Sequence, residues 1–196
     1  MKISSDERLV ELATMAPEIM ADWYEISSKD IERYSRRLEL SADFVADIVA
    51  ILSPRIQVSR NARIAHQFIT TDSTAGIMKN RIDAIDYYRR TGKVSQSGQK
   101  VRNFSANLRG NFDLVTIDVW MSRAFGVDYE GVNSPAKSDA VYARMAGRIT
   151  RLASRFGVSP ASFQACIWSG IRKEHGVKDD EAYLTLTDLL PQGVLC

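Results

Sequence analysis

The chain has 196 residues, is 45% hydrophobic and 26% charged, and contains 11 Gly, 5 Pro and 2 Cys. That composition excludes wholesale disorder and fibrous repeats and fits one compact helical domain over 1–196, or two small lobes. A net charge of +2 hides an uneven distribution, −5 over residues 1–52, +8 over 53–112 and −1 over 113–196, and a basic middle third predicts a face that meets phosphodiester backbones.

Residues 1–16 mix Lys2, Asp6, Glu7, Arg8 and Glu11 with apolar residues and lack the apolar core of a signal peptide. Pro17 suits the first position of a helix, and Ile19, Met20, Trp23, Ile26, Ile31, Tyr34 and Leu38 keep helical spacing over one long helix or two short ones. Ser41 is the expected N-cap of an apolar helix carrying Phe44, Val45, Ile48, Val49 and Leu52. That stretch is nine residues long and contains Asp47, whereas a bilayer span needs about 20, so no membrane partner is expected. Pro54 ends it. Ser59 opens the next helix, 70–76 reads as a loop, and 81–90 as a short amphipathic helix with Ile82, Ile85 and Tyr88 inside.

Residues 92–98 are loop-like, and helical spacing resumes over 99–108 through Val101, Phe104 and Leu108. Leu114 to Ile117 is the sole β-branched run and is too short to build a sheet. A short helix over 118–125 ends at Gly126; 128–135 is a loop; 136–156 is a long helix stopped by Gly157. Ser159-Pro160 opens a helix bearing Phe163, Ile167, Trp168 and Ile171, and a last turn or two falls in 180–190. The expectation is an all-α protein of eight to ten helices. Cys166 and Cys196 allow no disulfide framework or thiolate cluster, and with His66 and His175 they are too scattered for zinc. A reduced, cytoplasmic monomer with no metal and no cofactor is expected.

One segment concentrates the chemistry: Gly98-Gln99-Lys100, then Leu114-Val115-Thr116-Ile117-Asp118, then Arg123 and Phe125-Gly126. A lysine near the start of one helix is followed, after an apolar run, by an aspartate at the start of the next. An aspartate there accepts from the free N–H groups of the first turn, which by itself makes Asp118 an ordinary N-cap. The wider pattern, Gly98-x-Lys100 with Asp118, Arg123 and Gly126, resembles the core motif of the helix-hairpin-helix DNA glycosylases, the superfamily of endonuclease III and the 8-oxoguanine glycosylases. Upstream, Ile48-Val49-Ala50-Ile51-Leu52-Ser53-Pro54-Arg55 with Asn61, Ala62 and Ala65 looks like that superfamily's apolar helix and serine-containing turn, whose side chains enter the DNA stack. The resemblance covers roughly residues 44–126.

The resemblance implies a two-lobed fold with a cleft between lobes, a hairpin and core lobe at 41–126 and a second lobe from 1–40 plus 127–196. It implies that Lys100 is the Schiff-base lysine and Asp118 the catalytic aspartate, with Ser53, Arg55, Gln57, Ser97, Gly98, Gln99 and Arg102 contacting DNA. Chemistry on a duplex base requires its extrusion into a pocket. Departure of the base leaves positive charge on the sugar, which an ionised carboxylate stabilises, and a lysine that has lost its proton attacks C1′ to form an imine. The hairpin would offer backbone N–H groups to a phosphate. It departs from the family pattern: Val94-Ser95-Gln96-Ser97-Gly98 keeps one glycine and lacks the proline, and Val119-Trp120 follows Asp118. Arg55 stands where endonuclease III carries a glutamine wedge, and either wedges or clamps a phosphate.

Other residues read as structural: Trp120 as core, His66 as a surface or capping group, His175 as a helix-end cation, Gln164, Ala165 and Trp168 as core packing. The arginines at 144, 148, 151 and 155 stripe one helix face, and Tyr87, Tyr88, Arg89 and Arg90 form a basic–aromatic cluster. Three functions follow from the resemblance. The first is a DNA N-glycosylase with AP-lyase activity, acting in base-excision repair. The second is a base-modifying transferase of the same superfamily, of which viruses, phages included, carry divergent members. The third is a non-catalytic DNA-binding module.

Overall fold

The computed structural model describes residues 4–94, 98–127, 138–177 and 185–191. Among these the chain is all α, with no strand: α1 (Asp6–Thr14), a 3₁₀ turn (Glu18–Asp22), α2 (Trp23–Arg37), α3 (Ala42–Leu52), α4 (Val58–Thr71), α5 (Lys79–Thr91), α6 (Gln99–Leu108), α7 (Val119–Ala124), α8 (Asp139–Phe156), α9 (Pro160–Glu174) and a closing 3₁₀ turn (Thr187–Leu189). No described helix is long and apolar enough to cross a membrane. The chain divides into two compact units, Met1–Tyr24 with Asn111–Asp180, and Glu25–Gly110 with Glu181–Cys196. Asp118 thus belongs to the first unit and Lys100 to the second.

The first unit is built on α9. Ser159 caps it by accepting from the Ser162 N–H, and Pro160 occupies the first turn, where its missing N–H costs nothing. Its apolar residues Phe163, Ile167 and Ile171 join Leu9 and Leu12 of α1, Met121 and Phe125 around α7, and Ile149 and Leu152 of α8 in one core. Helix α1 lies on α9 backbone to backbone: a Cβ at Gly170 would sit 1.8 Å from the Leu12 carbonyl oxygen. Helix α8 is tied to α1 by Arg148, whose Nε is 2.6 Å from Asp6 Oδ1 while its guanidinium lies 5.6 Å from the Phe125 ring centroid. The β-branched run Val115–Ile117 is buried without a partner strand among the described residues. The Tyr142 hydroxyl donates to Val115 O (2.8 Å) and accepts from Ile117 N (3.0 Å), supplying what a neighbouring strand would.

The second unit is organised around α3, which is buried from Val45 to Leu52 and packs against α4, α5 and α6. A stretch apolar on every side belongs in a core, and the one acid within the buried residues 45–52 is provided for: Asp47 accepts from the Ser105 hydroxyl and pairs with Arg109 at 3.2 Å. Burial pushes the Asp47 carboxyl above its ordinary range, with Ser105 and Arg109 pulling back; the neighbouring Tyr88 hydroxyl is pushed up to about 12 by the same burial and by Asp47. Asn61 of α4 donates to Val49 O at 3.0 Å, fixing α4 on α3. Asp30 of α2 accepts from Leu186 N at 2.7 Å and anchors the closing turn.

Several boundaries differ from the sequence expectation. Helix α1 was not anticipated, although Ser5 caps it through the Arg8 N–H and Asp6 and Glu7 fill its first turn. Pro17 precedes a 3₁₀ turn rather than opening an α-helix, and the long helix begins at Trp23. Helix α4 starts at Val58 with Gln57 as N-cap, not at Ser59, and 180–190 contributes only the 3₁₀ turn among its described residues. The loop expected over 128–135 lies outside the described residues.

His66 is neither a surface group nor a cap. Its Nδ1 is 2.8 Å from the hydroxyl of Tyr34, whose own ionisation burial pushes up to about 12. A neutral hydroxyl and a neutral imidazole share this hydrogen bond, the ring tautomer setting which of them donates. Burial lowers the His66 pKa below its ordinary 6.5, so its stabilising contribution is present above that pH and is lost as pH falls through the lowered value. Thermal melts from about pH 7 down to about pH 5 should show a steeper loss of Tm in the wild type than in His66→Gln, which keeps an acceptor for Tyr34 but does not titrate. Gly170→Ala should cost about 3 kcal/mol in urea unfolding, since backbone rather than a flexible side chain must move to admit the methyl group.

Candidate functional site

The lysine half of the motif lies in the second unit. Gly98 is the N-cap of α6 with extended backbone (φ −158°), Gln99 is the first helical residue and Lys100 the second. The Lys100 side chain is half-buried; its Nζ donates to Ser53 Oγ at 2.5 Å and lies 4.8 Å from the Phe104 ring centroid, as in a cation–π contact. Ser53 is the C-cap of α3 and donates onward to Ala50 O at 2.9 Å, which orients its oxygen lone pairs toward the lysine. The two motif blocks, 47 residues apart, therefore meet side chain to side chain.

The other expected contact residues spread around this point. Arg55 is exposed in the α3–α4 turn with left-handed backbone (φ 60°), a conformation costly for a residue with a Cβ and found where a turn or a site demands it. Gln57 is exposed at the N-cap of α4 and makes no capping bond through its side chain. Arg102 is exposed on α6, and Ser97 lies outside the described residues.

The aspartate half lies in the first unit. The buried run 115–117 delivers Asp118 in extended backbone (φ −114°, ψ −168°) to the start of α7, where Oδ1 accepts from Met121 N at 2.9 Å. The other oxygen accepts from the indole N–H of Trp168 at 3.0 Å. Asp118 is thus an N-cap, as local chemistry alone would have it, and also something more: a half-buried carboxylate oriented by two donors from different elements.

Gln164, Ala165 and Trp168, expected as core packing, do pack in the core, and two of them also make polar contacts. Gln164 is buried and accepts from the Tyr24 hydroxyl at 2.8 Å; Trp168, one turn on, packs on the core with its ring and reaches Asp118 with its N–H. The Arg172 guanidinium, one further turn on, lies 4.1 Å from the Trp168 ring centroid. Burial pushes the Tyr24 hydroxyl well above its usual range, with Asp118 adding to the effect and a hydrogen bond with Thr116 opposing it. Tyr24, Thr116 and Gln164 form one hydrogen-bonded group and Asp118 with Trp168 another, linked through the charge of Asp118 acting on the Tyr24 hydroxyl. The i, i+4, i+8 spacing of 164, 168 and 172 was visible in the sequence; the partner 50 residues upstream was not.

Trp120 is half-buried against the core as expected, flanked by Arg123 at 4.5 Å and by His175 at 5.6 Å. His175 caps the end of α9 and bonds Ile171 O through Nδ1 at 2.9 Å. No group of three or more His, Cys, Asp or Glu among the described residues is placed to hold a metal ion.

The chain belongs to a family of unknown function, DUF7178, whose model matches residues 14–175. No curated protein and no solved structure matches it.

The coupling between Asp118 and Trp168 is measurable. Asp118→Ala should cost about 1 to 2 kcal/mol through the lost cap and Trp168→Phe about 1 kcal/mol through the orphaned carboxylate oxygen. In a double-mutant cycle by urea unfolding, the pair should be less costly than the sum by about 0.5 to 1 kcal/mol.

Proposed function

We propose that this member of the family acts on bases in DNA as a glycosylase-like base-excision protein, with Asp118 stabilising charge on the sugar and Lys100 attacking C1′. The observation that carries this reading is the Lys100–Ser53 hydrogen bond, because it joins the Gly98-x-Lys100 block to the serine-containing turn after α3. The orientation of the Asp118 carboxylate by Met121 and Trp168 adds to it. The unit boundaries differ from the lobes the resemblance implies, since Asp118 falls in the unit of 1–24 and 111–180 and Lys100 in that of 25–110 and 181–196.

In this mechanism the extruded nucleotide loses its base as the C1′–N bond breaks, the electron pair leaving on the base. The developing positive charge on the sugar faces an ionised carboxylate. Lys100, once its Nζ is released from Ser53 and Phe104 and has given up a proton, forms the new bond to C1′; ring opening and loss of a second proton yield an imine, from which elimination cuts the strand. A second reading follows from the same contacts. If Nζ keeps Ser53 and Phe104, the lysine serves as a fixed cation rather than a nucleophile, and the family chemistry that remains is group transfer to a base in place.

Borohydride trapping on duplexes carrying single damaged bases tests the first reading. A covalent adduct should form with the wild type, vanish in Lys100→Ala, and accumulate about 10²- to 10³-fold more slowly in Asp118→Asn. Failure to trap any adduct or release any base across the lesion set overturns it. Mass spectrometry of nucleosides from cells making the protein separates the second reading, since transfer adds mass to a base and excision leaves abasic sites.

A further inference from the structure

The first unit carries a hollow of about 640 Å³ beside α8, floored by Phe125, Val127, Val141 and Met145. Arg144, Arg148 and Arg151 line it as well, and among the described residues no acid does. The three arginines are not equivalent. Arg148 is held by Asp6 and lies against the Phe125 ring, so it is part of the wall. Arg144 and Arg151 are exposed; Arg144 pairs with no described residue, and Arg151 reaches only the Gly147 carbonyl of its own helix, at 3.3 Å. Arg155 continues the row one turn on, exposed and likewise without a described acid.

The helix supplies no counter-charge of its own. The single acid in α8 is Asp139 at its start, five residues before Arg144 and so off the i, i+4 spacing at which side chains meet. Gly147 adds an independent observation. It sits in the interior of an 18-residue helix, where glycine costs stability relative to alanine. A Cβ there would meet nothing within 4 Å, in contrast to Gly170, whose Cβ would strike Leu12. Packing within the chain therefore gives no reason for a glycine at 147, yet it lines the hollow between Arg144 and Arg151. A position without a side chain is what a second helix needs where two axes come close.

We infer that the hollow and the adjoining face of α8 form a docking groove for an acidic amphipathic helix of a partner protein. Its apolar side chains fill the hollow, its backbone passes closest at Gly147, and its carboxylates meet Arg144, Arg151 and Arg155. Residues 144 to 155 run about 16 Å along α8, and acids at i, i+4, i+7 on a facing helix repeat at the same rise. A phosphodiester backbone would engage the arginines but leave the apolar floor without an apolar partner, which is where burial is favourable. The inference goes beyond the proposed function and uses none of its chemistry on DNA.

The probe is a fluorescein-labelled synthetic helix of about 16 residues with leucines at i, i+3 and i+7 and glutamates on both flanks, alongside its glutamine counterpart. Binding to the full chain is followed by anisotropy. The glutamate peptide should bind saturably and lose affinity with salt, and the glutamine peptide should bind more weakly. Arg144→Gln/Arg151→Gln should weaken the glutamate peptide about fivefold. Gly147→Ala should weaken it about tenfold while raising Tm by about 2 °C, opposite signs that separate docking from a folding defect. No saturable binding, or equal binding to the wild type and both variants, would overturn the inference. So would displacement of the peptide by a short DNA duplex whose own binding is lost in the arginine variant and unmoved in Gly147→Ala, since the row would then be a nucleic-acid face.

Discussion

At Gly170 the backbones of α1 and α9 come into direct contact, and the placement of the polar groups in the first unit depends on it. With any side chain at that position the Leu12 carbonyl would have to withdraw, and α9 would lift from the helix that covers it. The same helix carries Gln164, Trp168 and Arg172 on one stripe and Phe163, Ile167 and Ile171 in the core. A hydrogen bond of 3.0 Å from an indole to a carboxylate tolerates little displacement. The register of α9 therefore decides whether Asp118 is a capping residue alone or a carboxylate held from two sides.

The second unit meets the opposite problem, an acid in the middle of its most buried helix. Asp47 interrupts what is otherwise an unbroken apolar stretch, and an unpaired buried carboxylate would be expensive. Ser105 and Arg109 of the segment around α6 answer it. The polar contact thereby fixes which face of α3 meets α6, and α6 is the helix that presents Lys100 to Ser53 at the end of α3. Packing specificity and the lysine contact have a common origin in the α3–α6 pair.

Local chemistry was legible wherever a single residue type dictates a backbone event. Ser159-Pro160 started α9, Gly157 stopped α8, Ser41 preceded α3, and Asp118 capped α7. Helix α1 is faint in the sequence because its nine residues hold only two that are fully buried, Leu9 and Leu12, too few for periodicity to register. Pro17 is ambiguous because proline suits both an α-helical first turn and the residue before a tighter one. The Ser53–Lys100 pairing was not legible, since 47 residues separate the two and each belongs to a different motif block. Trp168 on Asp118, Tyr24 on Gln164 and Tyr34 on His66 span 50, 140 and 32 residues, and no local pattern encodes such contacts. Each was nonetheless a polar atom on an otherwise apolar residue or face, which is the mark of a side chain needing a distant partner.

The indole of Trp168 is bracketed by opposite charges, a carboxylate at its N–H edge and a guanidinium over its ring. Excited indole is strongly dipolar, so its emission maximum and lifetime shift with the field of nearby ions. With Trp23 and Trp120 replaced by phenylalanine, Trp168 is therefore an intrinsic optical gauge of the electrostatic state around Asp118 wherever the first unit is folded.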